Sequence, residues 1–221
     1  MDSSHPSEKL MFDIGSNSGK VTDFFLKEGY RVLSVDANRD CFKKCLKKYY
    51  QNEKVRVLNY AITNKSDQVI DFWESSYSVV SSSTRYWVEE GRFAGKKKWT
   101  KTQAMTITLD DLIKQYGIPE IIKIDIEGGE LSAIEGLNQP IPLISFEFSE
   151  EIFEEANKCV VHLMGLGFKN FSYTERDSMT GYKDLKYSPW KELDLHKKII
   201  PERKKLWGMI YSTWYGKYDP R

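Results

Sequence analysis

Short apolar runs alternate with amphipathic stretches along the first part of the chain. The runs have the length of strands, and the stretches between them repeat apolar side chains at the spacing of one helix face. The predicted strands are residues 9–14, 30–35 and 55–60, and the predicted helices between them are residues 21–28 and 40–51. Parallel strands need crossover connections, so this order predicts an α/β domain with helices on both faces of a parallel sheet.

The alternation stops after Ala61. Residues 68–73 and 77–80 have the composition of strands or of a hairpin, and the serines after them begin a polar region. Residues 84–104 are charged and aromatic without a clear period. We therefore expect this segment to be a partly mobile insertion in the α/β order.

Regular α/β order returns at Thr108, which begins a capping-box pattern for a helix through Tyr116, and Gly117 can end that helix. Four more strands are predicted at residues 121–126, 143–148, 168–173 and 206–212, with helices at residues 130–137 and 150–164. The resulting seven strands predict one domain over residues 1–221, because no linker or repeat divides them. The polar segment 175–204 is then an excursion over the sheet edge.

Composition excludes some classes of protein. Lys and Arg total 33 against 32 Asp and Glu, so the net charge indicates neither a nucleic-acid nor a membrane partner. No apolar run has membrane-spanning length and the start lacks the hydrophobic run of a signal peptide, which predicts a soluble cytoplasmic protein. The three cysteines are too few for a disulfide framework, and Cys41 and Cys45 lack a second Cys or His pair for zinc.

A glycine turn follows the first predicted strand. Gly15 and Gly19 stand between strand and helix, where glycine permits a sharp reversal and the close approach of a ligand. Their spacing differs from the GxGxxG pattern of nicotinamide-binding enzymes, which argues against a pyrophosphate cofactor. Asp36 ends the second strand 21 positions after Gly15, near the offset at which an acid binds ribose hydroxyls in this architecture. The turn and Asp36 together predict a cofactor that contains a ribose.

A second acidic sequence, KIDIEGGE, occupies residues 123–130 at the end of a predicted strand. Ligands of open parallel sheets bind beyond the carboxyl ends of the strands, so we expect Asp125 and Glu127 to lie in the cofactor crevice. Glu130 instead fits the start of the next helix, where an acid is favoured by the helix dipole.

Seven motifs in this order resemble the FkbM-type S-adenosylmethionine-dependent methyltransferases. They are DIGSNSG (13–19), VDAN (35–38), NYAIT (59–63), TLDDL (108–112), KIDIEGGE (123–130), ISFEF (144–148) and WGMIY (207–211). The resemblance covers almost the whole chain, and KIDxEGxE after TLDxL is its specific part. It implies a class I methyltransferase (Rossmann-like) fold, with a seven-stranded, mostly parallel sheet whose last strand is antiparallel. It also implies methyl transfer to a hydroxyl oxygen on a sugar or another small acceptor.

The resemblance also assigns residues to the cofactor, S-adenosyl-L-methionine. It implies that the loop from Asp13 to Gly19 approaches the methionine part, that Asp36 binds the ribose and that Ala61 lies near the adenine. The full expected set is Asp13, Gly15, Ser16, Asn17, Gly19, Asp36, Ala37, Asn38, Ala61 and Asp125. Asp36 stands where Glu is commoner in the family, and little sequence precedes the first strand, so the roof of the acceptor pocket is not specified.

Methyl transfer from a sulfonium is an in-line displacement, so the protein mainly has to hold the reacting atoms in line. An alcohol must lose its proton as it attacks, and a carboxylate within hydrogen-bond reach can accept that proton. The expected catalytic residues are Asp125, Glu127 and Glu147. The same carboxylates would suit a divalent cation, but we expect direct base catalysis and no metal.

Alternative functions are open to different degrees. A nicotinamide oxidoreductase lacks its motif here, and a pure binding module has no need of the acids at positions 125, 127 and 147. A nucleic-acid (RNA) methyltransferase is the main rival, because the basic residues 96–98 and 203–205 could neutralise phosphates while aromatic side chains such as Trp99 stack on bases. The least patterned segment, 84–104, is the expected acceptor-binding arm or lid. Its aromatic residues would stack on the acceptor, and its basic residues would pair with phosphate or carboxylate; they are Tyr86, Trp87, Phe93 and Trp99, and Arg92 and Lys96 to Lys98. The sequence leaves the oligomeric state and the identity of the acceptor open.

Overall fold

The computed structural model describes residues 9–77, 80–176, 179–200 and 205–214. The strands are β1 Leu10–Ile14, β2 Arg31–Val35, β3 Val55–Leu58, β4 Ala61–Ile62, β5 Val69–Ser75, β6 Trp99–Ile107, β7 Ile121–Ile124, β8 Leu143–Ser149, β9 Asn170–Glu175 and β10 Trp207–Thr213. The α-helices are α1 Lys20–Lys27, α2 Arg39–Tyr49, α3 Arg85–Glu89, α4 Leu109–Tyr116, α5 Glu130–Glu135, α6 Phe153–Gly165 and α7 Leu195–Lys198. Short 3-10 helices are Glu150–Ile152, Met179–Asp184 and Trp190–Glu192.

Seven strands form the main sheet in the order β3-β2-β1-β7-β8-β10-β9. The first five of these pair in parallel, whereas β10 is antiparallel to both β8 and β9. The strand order reverses between β1 and β7, and the carboxyl ends of these two strands therefore open a crevice. This topology confirms the predicted class I methyltransferase fold, and every strand end of the sheet lies within two residues of its predicted position.

Apolar side chains on both faces of the main sheet form the core. Alternate residues of β1 point to opposite faces, so Phe12 packs in the larger cluster with α4, α5 and α6, whereas Met11 packs with Phe25 of α1. Burying side chains of this size contributes about 1.5–3 kcal/mol each. All five residues of β1 are buried, so the strand that leads into the glycine turn lies at the centre of the core.

Helix α4 confirms the capping prediction. The Thr108 hydroxyl accepts a hydrogen bond from the backbone N–H of Asp111, and Gly117 ends the helix with a φ of 99°. The N–H of Gly117 donates to the carbonyl of Ile113.

A second, three-stranded sheet differs from the sequence prediction. β6 pairs antiparallel with β5 and parallel with β4. Of the two segments expected to be strands or a hairpin, residues 68–73 are confirmed as a strand, since they fall almost entirely within β5. The strand paired with β5 is β6 and not residues 77–80, of which 78–79 lie outside the described residues, and Trp73 forms one isolated bridge with Ser82. Residues 99–104, at the end of the expected irregular insertion, belong to the regular strand β6, whose polar residues face solvent on a small sheet and so lack a clear period, and residues 85–89 form α3.

The polar segment 175–204 contributes to the core as well as to the surface. Tyr182 is buried against Phe24 and Phe25 of α1, and Leu195 of α7 is buried in the larger cluster. Residues 177–178 and 201–204 lie outside the described residues. Within the described part of the chain, no helix combines the length and the apolar character that crossing a membrane requires.

Candidate active site

A cavity of about 480 Å³ opens at the carboxyl ends of the central strands. We call residues 15–20 and 35–37 its turn wall, and the acidic loop 125–129, Glu147 and residues 81–93 its acid wall. All three predicted catalytic residues line the cavity, and so do seven of the ten residues predicted to bind the cofactor. Those seven are Gly15, Ser16, Asn17, Asp36, Ala37, Ala61 and Asp125.

The turn wall is built around Gly15. This residue has a φ of 76°, and its N–H donates to the carbonyl of Val35 at 2.9 Å. A Cβ atom there would lie 1.8 Å from the carbonyl oxygen of Asp125, which no side chain can tolerate. Glycine is therefore required both by the backbone conformation and by the approach of the acidic loop.

Asp36 joins the turn to the end of β2. Its carboxylate accepts hydrogen bonds from the backbone N–H groups of Asn17 at 2.7 Å and Asn38 at 2.8 Å. Burial raises the pKa of Asp36 to about 6, although the two N–H groups favour its charged form. A carboxylate has about four lone-pair sites, so its remaining sites can accept the hydroxyls of a ribose.

The other three residues predicted to bind the cofactor do not line the cavity. Asp13 is buried below the turn, where it accepts a hydrogen bond from Thr22 at 2.7 Å. Gly19 is the N-cap of α1, and Asn38 caps α2 by accepting from the N–H groups of residues 40 and 41. These residues support the turn wall from behind, because strand ends and helix starts meet there.

Asp125, Glu127 and Glu147 form the acidic centre of the acid wall. Each offers a carboxylate oxygen within 4.8 Å of the other two, a geometry that could also hold a metal ion. Burial and the charge of Asp125 raise the pKa of Glu127 well above its usual range. Burial and the charges of Glu127 and Asp125 do the same for Glu147. Each of these two glutamates is therefore protonated more readily than an isolated glutamate.

The acidic loop has an unusual backbone that its neighbours stabilise. Glu127 has a φ of 56°, a left-handed conformation that costs energy outside glycine. Glu130 accepts hydrogen bonds from the N–H groups of Ile126 and Gly128, both at 2.9 Å. Burial raises the pKa of Glu130 to about 7. As the sequence predicts, Glu130 stands at the start of α5, and its carboxylate closes the loop.

Residues 82–87 hold the acidic loop from the other side. The hydroxyl of Ser82 donates to the carbonyl of Glu127 at 2.7 Å, and that of Thr84 donates to the carbonyl of Gly128 at 2.9 Å. The indole Nε1–H of Trp87 donates to the Glu127 carboxylate at 2.9 Å. Trp87 is only 2% exposed, so this bond forms away from bulk water. Periodicity could not reveal these contacts, because they join positions about 40 residues apart that have no regular pattern.

Arg92 is fixed at the edge of the acid wall. Its backbone N–H and its Nε–H both donate to the Glu151 carboxylate at 3.0 Å. Phe93 lines the cavity beside it and meets the Trp87 ring edge-on. Trp99 lies in β6 instead, and residues 96–98 do not line the cavity.

Lys123 is a site residue that the sequence analysis did not identify. Its Nζ lies 3.2 Å from the carbonyl oxygen of Gly15 and 3.3 Å from Oδ2 of Asp125. The Asp13 carboxylate lies 3.7 Å away on the neighbouring strand. The sequence did contain a signal for this residue, a lysine within the otherwise apolar strand β7. A charge buried in such a strand needs partners of opposite charge or polar partners close by.

A family model described as the methyltransferase FkbM domain matches residues 13–175. The chain belongs to this family. The resemblance identified from the sequence is thereby confirmed, and with the family the cofactor, S-adenosylmethionine, is established for this FkbM-domain protein. No match was found among curated protein sequences.

Solved structures of other methyltransferases are similar to this FkbM-domain protein at low identity. Precorrin-6Y C5,15-methyltransferase from Geobacter metallireducens is 13% identical with a TM-score of 0.46, covering 93% of this chain and 81% of that chain. The METTL16 methyltransferase domain is 12% identical with a TM-score of 0.48, covering 95% and 61%. The N-terminal domain of human METTL16 in complex with SAH is 13% identical with a TM-score of 0.44, covering 95% and 62%.

The cavity of the FkbM-domain protein fits S-adenosylmethionine in size and chemistry. Its volume lies in the range of about 300–1,000 Å³ that is typical of small-molecule sites. The Asp36 carboxylate suits the ribose hydroxyls, and the nearby apolar residues Val35, Ala61 and Ile62 suit the adenine ring. The acidic groups suit a cationic sulfonium.

Proposed function

We propose that this FkbM-domain protein transfers the methyl group of S-adenosylmethionine to a hydroxyl oxygen of a small acceptor such as a sugar. The observation that carries the proposal is the meeting of Asp125, Glu127 and Glu147 in the same cavity as the turn wall. When bound, the cofactor supplies a methyl group on a cationic sulfur. The protein's own residues then have to orient the acceptor hydroxyl and take its proton.

Glu127 and Glu147 are the carboxylates best suited to take that proton. Their raised pKa values make their ionised forms stronger bases than an ordinary glutamate, which improves proton transfer from an alcohol. Asp125 is engaged by Lys123, and we assign it a role in orienting the hydroxyl. The proton leaves the acceptor oxygen as the new oxygen–carbon bond forms, and it stays on the glutamate pair.

The surroundings of these acids favour a small acceptor with a flat or apolar face. Phe93 lines the cavity beside the acids and is partly exposed, so its ring can stack on an acceptor, while the buried Trp87 supports it edge-on. The basic residues 96–98 lie outside the cavity lining, so the geometry gives the nucleic-acid alternative less support. Of the other basic cluster, residues 203–204 lie outside the described residues.

The experiment that tests the proposal is a transfer screen with methyl-labelled S-adenosylmethionine across glycans, small alcohols and RNA. The labelled product is then analysed for the atom that received the methyl group. Label on an oxygen that depends on Glu127 and Glu147 supports the proposal. Label on a nitrogen or carbon of RNA, with none on small acceptors, overturns it.

A chelator arm separates base catalysis from metal assistance. If the carboxylates act directly, turnover is unchanged by ethylenediaminetetraacetate. If the chelator abolishes turnover and magnesium restores it, the three carboxylates bind a cation and the direct-base assignment is wrong.

A further inference from the structure

Lys123 places a fixed positive charge at the centre of the candidate site. Its side chain is 3% exposed, yet it lines the cavity between the turn wall and the acid wall. The residue belongs to β7 and is in register with Asp13 of β1. Removing a lysine from water is costly, so its contacts with Asp13, Asp125 and the Gly15 carbonyl are required to keep it charged there.

Methyl transfer changes the charge that faces Lys123. The reaction breaks the bond between sulfur and the methyl carbon, leaves the electron pair on sulfur and forms a bond between oxygen and the methyl carbon. The hydroxyl proton passes to a carboxylate. The cofactor is therefore cationic at sulfur before transfer and neutral at sulfur afterwards. A nearby cation disfavours the first state relative to the second.

We propose that Lys123 sets the balance between binding of S-adenosylmethionine and binding of its demethylated product. The inference rests on the proposed function in one respect, the placement of the cofactor against Gly15. Asp13 and Asp125 attract the sulfonium, and Lys123 offsets part of this attraction. It thereby prevents the site from holding the reactant too tightly, and it favours the loss of positive charge from sulfur during transfer.

Two cations of the cavity lining provide a matched comparison. Lys123 is buried, whereas Lys20 at the start of α1 is exposed. Water and salt screen an exposed charge far more than a buried one. The same Lys→Met change should therefore have different effects at the two positions.

The test is titration calorimetry of the full chain with S-adenosylmethionine and with S-adenosylhomocysteine. The quantity compared is the ratio of their dissociation constants, reactant over product. Lys123→Met should lower this ratio about tenfold, because the remaining carboxylates attract the sulfonium more strongly. Lys20→Met should change it less than about twofold. A role in folding alone would weaken both ligands equally and leave the ratio unchanged.

Asp125→Asn keeps the test decisive if Lys123→Met does not fold. It removes a negative charge from the same ion pair on a partly exposed loop, so it should raise the ratio. An unchanged ratio in every variant that folds, or a change in the opposite direction, overturns the inference. Failure of the wild-type chain to bind either ligand would instead count against cofactor binding at this site.

Discussion

Backbone groups shape the turn wall of the cavity, whereas side chains distant in sequence shape the acid wall. In the turn wall, Asp36 is held by two N–H groups, and Gly15 donates its own N–H to the end of β2. In the acid wall, the Glu127 carboxylate is held by Trp87, 40 positions earlier. The difference teaches that one cavity can have a wall determined by backbone hydrogen bonds between adjacent strand ends and a wall determined by side-chain contacts between residues 40 or more positions apart.

The two walls should also respond differently to mutation. A substitution in the turn wall should act on the backbone path and on cofactor affinity. A substitution in the acid wall should act on turnover and on its pH dependence. The following experiments test this separation.

The largest effect is expected from Gly15→Ala. The new Cβ would meet the Asp125 carbonyl oxygen at 1.8 Å, in addition to the strain of a positive φ. We expect a loss of at least about 3 kcal/mol in the free energy of unfolding, together with loss of cofactor binding. Chemical denaturation and calorimetry measure the two quantities.

Gly29→Ala is the matched control for this change. Gly29 also has a positive φ, 88°, but nothing lies within 4 Å of the position of its Cβ. This variant should lose only about 1–2 kcal/mol, from strain alone. Equal losses in the two variants would contradict the claim that the acidic loop presses on the turn.

The next largest effect is expected on turnover, from replacing the two glutamates of the acid wall. Glu127→Gln and Glu147→Gln should each reduce turnover by about 10²-fold or more, the scale of losing a general base, with little change in cofactor affinity. Single-turnover assays on the acceptor found in the labelled-methyl screen measure the first quantity, and calorimetry measures the second. Full activity in both variants would make these carboxylates structural.

Asp36→Ala should mainly weaken cofactor binding. Loss of a hydrogen bond to a charged group costs about 1.5–3 kcal/mol, so S-adenosylhomocysteine should bind about 10 to 150 times more weakly. Turnover at a saturating cofactor concentration should change less. Unchanged affinity would place the ribose contact elsewhere in the turn wall.

The pH dependence of the same residue provides a second test. The pKa of Asp36 is raised to about 6 in the folded chain from 3.8, so protonation of this group favours the folded state, and that contribution is lost as pH rises from about 4 to about 6. Cofactor binding has the opposite trend, because the hydroxyls need the ionised carboxylate. Affinity should therefore fall as pH falls through about 6 in the wild type and less steeply in Asp36→Asn. Parallel pH profiles would contradict this assignment.

The part of the site that the sequence could predict is the part that depends on local chemistry. A glycine turn after a strand, an acid at a strand end and a capping Thr108 each follow from the conformations that one residue type allows. The strand order follows from apolar runs and the family resemblance. Lys123 was missed because its role follows from its contacts with Asp13, on the neighbouring strand, and with Asp125, and only the folded chain brings these groups together.

The acid wall could be predicted only in outline. The acids themselves stand in a recognisable motif, but residues 82–93 reach them through contacts that no periodic pattern encodes. β6 was missed for a related reason, because a half-exposed strand in a small sheet has no continuous apolar face. A deletion of residues 88–99 could also test the role of residues 82–93. It would, however, remove the Arg92–Glu151 ion pair and the first residue of β6, so point substitutions separate function from folding more clearly.

The smallest effect, and the most specific to the acid wall, is expected from Trp87→Phe. The change keeps an aromatic ring but removes the N–H that stabilises the charged form of Glu127. The pKa of Glu127 should rise further, so the acid limb of the pH profile of turnover should move to higher pH, and turnover near neutral pH should fall about tenfold. Cofactor affinity should stay unchanged, because Trp87 lies in the acid wall and not in the turn wall.

Trp190→Phe is the control, since Trp190 packs against Phe153 in the core and does not line the cavity. It should alter stability without moving the pH profile. If the acid limb of Trp87→Phe coincides with that of the wild type, the indole serves packing alone, and the positioning of Glu127 must come from Ser82, Thr84 and Glu130.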